Sequence, residues 1–410
     1  MKKPDRTGLG SSGGMRGHAA RLLAFFTPDR LAVLAFAVYL AAGLLIANDY
    51  GISADEATER RTSLANYAYV MGRDIFNPDS EAAQGVAAGV PDLHTFNNRF
   101  YGAALQCITV LAEHMRGFEM LTRDIYLLRH LFTFANYFIA GIFFYLILRR
   151  RFGDTWLPLL GALLYILYPR FFGESFYNIK DILFYAWVVI SSYFVLKWLE
   201  NGRLRNAVPA AITLAIAINT RILGVSLLLL GCAFAVIMEI RRKKGIARAI
   251  AKPVALGAMT FACYVAVTPF LWASPLQNAY RTFIHFLDFE PWTGTHFYLG
   301  EMITREVPWH YIPVWMGVTV PLLYLVMFVA GVAAVCAGAV VWVRRAAKGG
   351  RGQVSAEGIA EVNQAETNKT ETHQAKTDKE KISPADASKT GSAIVTITNN
   401  NENQGPNQGN

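Results

Sequence analysis

Apolar runs of bilayer length recur along this chain and limit what it can fold into. They fall at 31–47, 130–148, 155–171, 182–199, 207–220, 222–240, 252–271 and 312–343. A helix needs about 20 predominantly apolar residues to cross the hydrocarbon core. Within lipid, only a helix or a closed barrel satisfies its own backbone. Composition agrees, with 53% of the 410 residues hydrophobic and 17% charged, against about 25% charged in an average soluble domain. The sequence predicts an all-α multi-pass membrane protein, a helical bundle with about eight transmembrane helices. It excludes a collagen and a wholly disordered chain. The 207–220 run is short and only Thr220 and Arg221 part it from the next, so a tilted or broken helix is expected there.

The formal charge of +9 is not a nucleic-acid footprint, because the basic residues form no single stripe. They stand between apolar runs: Arg149, Arg150 and Arg151; Arg203 and Arg205; Arg241, Arg242, Lys243 and Lys244; Arg344, Arg345 and Lys348. Basic clusters of this kind mark cytoplasmic loops. Alternation then puts both termini in the cytoplasm and the loops 48–129 and 272–311 on the outer face. Residues 1–30 read as a basic cytoplasmic N-terminus, and 31–345 as the transmembrane domain. Residues 346–410 lack Phe, Trp and Tyr and read as a disordered polar cytoplasmic tail. Within the first outer loop, 101–115 is apolar on one side but holds Gln106, Glu113 and His114, which suits a juxtamembrane helix lying on the surface. Four cysteines give no disulfide framework and read as small packing residues.

This topology gathers the chemistry-bearing side chains on the outer face. Asp55 and Glu56 follow the first run by a few residues. Adjacent carboxylates there supply a general base or bind a cation, and either Ser53 or Asp55 also suits a helix cap. A second outer loop carries Arg170, Glu174, Tyr177, Asn178, Lys180 and Asp181, a polar pocket for a charged headgroup or a solvated helix start. Arg221 stands alone between two apolar runs and needs an anion, which a bilayer phosphate or a substrate would provide. The third loop holds Asp288, Glu290, Glu301, Arg305, Glu306, His310 and Tyr311, with Trp292, Trp309 and Trp315 as an interfacial belt. A P-loop, a convincing dinucleotide fingerprint, HExxH and CxxC are all absent, and no histidines pair at metal-ligand spacing.

Several of these features occur together in one order. They are Asp55–Glu56 after the first run, a surface helix, the turn Arg150, Arg151, Phe152, Gly153, and the loop from Pro169, Arg170 and Gly173 to Tyr177, Asn178, Lys180 and Asp181. Asn219, Arg221 and Gly224 follow, then Pro308 to Trp315. Over 31–345 the chain resembles bacterial glycosyltransferase family 39, membrane enzymes of the GT-C fold related to protein O-mannosyltransferases and lipid A aminoarabinose transferases.

The resemblance implies a hexosyl- or pentosyltransferase of the bacterial inner (plasma) membrane. Its donor would be a polyprenyl-phosphate-linked sugar, with the active site on the periplasmic face. Asp55 would be the general base, assisted by Glu56, and Arg99, Lys180 and Arg221 would meet the donor phosphate. Arg99 stands where relatives often have Lys. Arg170, Glu174, Tyr177, Asn178, Asp181, Glu301, His310 and Tyr311 would line the substrate pocket. A divalent cation is left open, as is the acceptor, which is a glycan, a lipid or a protein. Relatives often continue with more spans or a folded domain, which leaves room for a partner subunit. Two other readings compete: a transporter or flippase of lipid-linked sugars, and a non-catalytic membrane partner that retains the fold.

Overall fold

Thr27 and Pro28 open the first membrane helix, α1 (Pro28–Ile46), where the Thr27 hydroxyl accepts from the Arg30 amide at 3.4 Å. A proline at the first helical turn sacrifices no internal hydrogen bond. The computed structural model describes residues 27–243, 245–288, 294–304 and 307–344. The expectations for residues 1–26, Lys244, Glu290, Trp292, Arg305, Glu306, Arg345, Lys348 and the 346–410 tail lie outside the described residues. The chain divides into two units, Met1–Val307 and Pro308–Asn410.

In the first unit α1 is followed by α2 (Glu56–Met71), α3 (Glu81–Gly89), α4 (Cys107–Met115), α5 (Thr122–Phe152) and α6 (Leu157–Ile166). Then come α7 (Pro169–Tyr177), α8 (Asp181–Asn201), α9 (Leu204–Thr220), α10 (Val225–Arg241), α11 (Ile246–Val267) and α12 (Pro275–Leu287). Two three-residue strands, β1 (His296–Tyr298) and β2 (Glu301–Ile303), pair antiparallel with Tyr298 opposite Glu301. The second unit holds α13 (Tyr311–Thr319) and α14 (Leu322–Arg344).

Among the described residues six helices are long and apolar enough to cross a membrane, against about eight expected: α1 with its last turn, α5, α8, α10 with the turn before it, α11 and α14. Two of the expected spans fall short. The 155–171 run is cut at Leu167 and Tyr168, leaving α6 only 10 residues long. Tyr168 precedes Pro169, and a residue before proline is pushed out of the helical region. The 207–220 run becomes α9, which is continuous but has 17 residues and an internal Pro209. The 312–343 run is likewise broken, before Pro321.

Both short elements nevertheless return across the bundle, as the ion pairs at its two ends demonstrate. At one end Arg149 meets Asp29 at 2.6 Å, Arg150 pairs with Glu200, and Arg242 donates to the Glu200 carbonyl at 3.1 Å. There Lys252, Arg242 and Arg248 also surround the buried Glu239 carboxylate at 2.5, 3.5 and 3.6 Å. At the other end Asp181 pairs with Arg221, and Lys180 with Glu59. Asn219 Nδ2 there donates to Thr268 Oγ1 at 2.9 Å, and Tyr50 stacks on Phe176 at 4.3 Å. Hence α1, α6 with α7, α9 and α11 run in one direction, while α5, α8 and α10 run back. Seventeen residues of α9 still cover about 25 Å.

Outside this bundle α2, α3 and α4 share a small core of Leu64, Tyr67, Phe76, Val110 and Phe118. The surface stretch forms a helix only over α4, whose 9 residues reach about 13 Å, too short to span. A cysteine placed at Ala57 and another at Arg151, each in a chain whose four native cysteines are replaced, tests the two-ended layout. An impermeant thiol reagent should label them from opposite faces of sealed vesicles; labelling from one face would refute it.

Candidate functional site

The head of α2 divides the neighbouring carboxylates Asp55 and Glu56. Glu56 turns inward and Oε2 accepts the Ser53 amide at 2.7 Å, the backward half of a capping box. Asp55 occupies the capping position, yet its side chain makes no capping bond and is exposed. Glu56 thus fastens the turn that enters the helix, and Asp55 faces out. The Ser53 hydroxyl donates to the Tyr177 carbonyl at 3.2 Å, fastening this segment to the end of α7.

Behind the helix head lies a buried polar chain. Lys180 Nζ donates to Glu59 Oε1 at 2.8 Å, and Gln106 Nε2 donates to Glu59 Oε2 at 2.9 Å. Gln106 Oε1 in turn accepts from Arg129 Nη2 at 2.8 Å, and Arg129 Nη1 donates to Thr109 Oγ1 at 2.9 Å. Arg129 is fully buried. Next to it, the Arg60 guanidinium grips the buried Glu113 with both Nε and Nη2. Lys180 also sits over the Tyr101 ring, 3.7 Å from its centroid, a cation–π contact. The predicted phosphate binder is therefore already half satisfied by a carboxylate and a ring.

The other predicted residues sort as follows. Arg221 pairs with Asp181, both part-exposed. Asn178 links Asp181 and Glu174, and Glu174 takes Arg170 at 2.8 Å, so the whole 170–181 loop is one ladder of polar contacts. Tyr177 supplies its carbonyl to Ser53. Arg99 donates to the Phe96 carbonyl and lies over the Phe100 ring at 4.5 Å. Phe100 stacks on His285 at 4.3 Å, whose imidazole is held below its ordinary pKa by burial and then by Arg99. Glu301 is exposed on β2. His310 and Tyr311 belong to the second unit, at the start of α13. Burial pushes the Cys107 thiol up to about 12, which leaves it an inert packing group. Among the described residues, no group of three His, Cys, Asp or Glu side chains forms a metal cluster.

Two clefts open at this end of the bundle and share no lining residue. One, of 230 Å³, is lined by residues including Asn48, Tyr50, Ile52, Arg123, Tyr126 and His130. The other, of 100 Å³, includes Phe100, Tyr101, Asn219, Arg221, Thr282 and Phe286. Glu56 Oε1 lies 2.9 Å from Nε2 of His130 in the first cleft. Glu59 reaches, through Lys180, the Tyr101 ring of the second. Two successive turns of one helix are thus coupled to two cavities.

Sequence reasoning missed Glu59, Arg60, Arg129 and His130 and placed no chemistry on Gln106 or Glu113. Arg129 and His130 head an apolar run, and ionisable groups at that depth are costly enough to flag a site. The remaining signal is absent from any local pattern.

A helical bundle with ionic contacts gathered at its two ends is a multi-pass membrane protein. Residues 118–272 match the model of a family described as dolichyl-phosphate-mannose-protein mannosyltransferase. No curated protein and no solved structure matches the chain. The match supports a membrane glycosyltransferase of the GT-C type. It spans less than half of the chain, taking in α5 to α11 with Arg129, His130, Lys180, Asp181 and Arg221, and stops short of Asp55.

Replacing Gln106 by Leu removes the bridge between Glu59 and Arg129 and leaves both short of a partner. Unpaired buried polar groups cost about 1–3 kcal/mol each. Gln106→Leu should lower the thermal midpoint of the purified protein, and an unchanged midpoint would show that the bridge carries no stability.

Proposed function

We propose that this chain transfers a sugar from a polyprenyl-phosphate-linked donor to an acceptor hydroxyl on the outer face of a bacterial inner membrane. The observation that carries the reading is the joining of two predicted motifs. Ser53 is bonded to the Tyr177 carbonyl, and Lys180 to Glu59, so the exposed Asp55 carboxylate belongs to the same assembly as the cationic loop.

In this reading Asp55 takes the proton of the acceptor hydroxyl as its oxygen attacks the anomeric carbon. The bond from that carbon to the phosphate oxygen breaks, and the electron pair leaves on the lipid phosphate, with inversion at the sugar. Asp55 is suited to the base role because it is exposed and free of the capping bond that occupies Glu56. A phosphate gathering charge needs preorganised donors. Lys180 and Arg221 supply them next to the smaller cleft, and Arg99 adds a third cation beside Phe100 on its wall. Both Lys180 and Arg221 are held in place by carboxylates, Glu59 and Asp181, which share them with an incoming phosphate. Glu56, turned inward, positions the helix head and is not the base in this scheme.

The basic clusters favour cytoplasmic termini and an outward-facing site. The stretch outside the family match contributes the base, so the whole activity rests on α2 as well as on the matched helices. Positioned general bases contribute about 10²–10⁴-fold. Asp55→Asn should therefore lose at least 100-fold of sugar transfer in reconstituted vesicles with its melting temperature unchanged. Full transfer by that variant would remove Asp55 from the role.

A further inference from the structure

The larger of the two clefts has no part in donor binding, and its chemistry points to a ligand of its own. Its floor holds His130, 2% exposed, whose Nε2 contacts Glu56 Oε1 at 2.9 Å as an ion-pair contact that lacks hydrogen-bond geometry, and neither atom makes a hydrogen bond. Buried polar atoms are paired in the great majority of cases, and exceptions need a reason. A hydroxyl group entering from the cleft is such a reason, since it both donates and accepts. The walls add phenols from Tyr50 and Tyr126, the Asn48 amide and the Arg123 guanidinium at the exposed rim. Tyr50 is preset, since one face of its ring is packed on Phe176 at 4.3 Å. No carboxylate lines the cleft.

Size narrows the occupant. Pockets for drug-sized ligands run from about 300 to 1,000 Å³, and this cleft has 230 Å³, room for a single ring. A peptide acceptor would need an extended groove with backbone partners. A lipid tail would need a wholly apolar wall. Asp55 lies in the chain between Ile52, which lines the cleft, and Glu56, which touches its floor. We propose that this cleft is the acceptor subsite and takes one pyranose ring of a neutral carbohydrate, presenting a ring hydroxyl towards Asp55. The proposal rests on the transferase reading and assigns the acceptor class that the reading leaves open. It also gives a role to both buried carboxylates of α2: Glu59 holds Lys180 on the phosphate side, and Glu56 stands against His130 on the acceptor side.

The test is saturation-transfer NMR on the full chain in lipid nanodiscs. The probes are a panel of methyl glycosides (gluco, galacto, manno and N-acetylgluco), with glycerol phosphate and a Ser/Thr peptide as the alternatives. At least one glycoside should bind the wild type, and Tyr126→Ala should weaken it at least tenfold. Should Tyr126→Ala fail to melt cooperatively, Arg123→Gln at the exposed rim carries the same comparison. Absence of glycoside binding, equal binding by the folded variants, or binding of glycerol phosphate or peptide in place of glycosides would overturn the assignment. Asp55→Asn separates the two claims. It should bind glycoside as the wild type does and transfer no sugar. Retained transfer with cleft-dependent binding would sink the base and spare the cleft; lost transfer without glycoside binding would do the reverse.

Discussion

A single buried carboxylate, Glu59, holds the outer end of this molecule together. It accepts Lys180 on one oxygen and Gln106 on the other, and through Gln106 it reaches the fully buried Arg129. Removing charges from water costs several kcal/mol per ion, and only a complete set of partners offsets that cost. The partners come from the turn before α8, the residue before α4 and the membrane helix α5, so satisfying one carboxylate fixes the position of several separate segments. Arg60 and Glu113 repeat the device beside it. The surface helices are therefore held by ionic contacts to the bundle as well as by their own small core.

The membrane bundle supplies the complementary constraint. Among the described residues its ionic contacts gather at the two ends, and its interior packs aromatic rings on one another, such as Tyr137 stacked on Tyr165 at 4.6 Å. Ring packing is tight enough that the Phe134 ring occupies the space a side chain on Gly43 would need. A rigid bundle of this kind can hold cations and carboxylates in register over a lipid surface. The proposed transfer would draw on this register through the short return helices: Arg221 follows α9, and Lys180 stands in the loop after α7.

Much of this was legible in the sequence, and what was not has a physical cause. The apolar runs located the membrane helices because burial in lipid imposes a minimum length. Two of the expected runs fall short of full span length, where the backbone is interrupted before Pro169 and where α9 stops at 17 residues, yet both still return across the bundle. The adjacent Asp55 and Glu56 looked alike on paper, but successive residues on a helix point about 100° apart. One therefore caps and buries while the other faces out. The Glu59–Lys180 pair escaped notice because its members are 121 residues apart, and no spacing rule connects them. The cations named from sequence are paired by the fold with carboxylates that no local pattern assigns to them, Lys180 with Glu59 and Arg221 with Asp181.

The central claim is that the paired cations and the exposed carboxylate break the bond between a sugar and a lipid phosphate. The most direct measurement is phosphorus-31 NMR of the purified chain in vesicles carrying a polyprenyl-phosphate-linked sugar and an acceptor glycoside. The account predicts that the phosphodiester signal is replaced by that of a free phosphate monoester as the acceptor gains the sugar with inverted configuration. A phosphodiester that stays intact while the lipid-linked sugar changes leaflet would contradict it and identify a transporter instead.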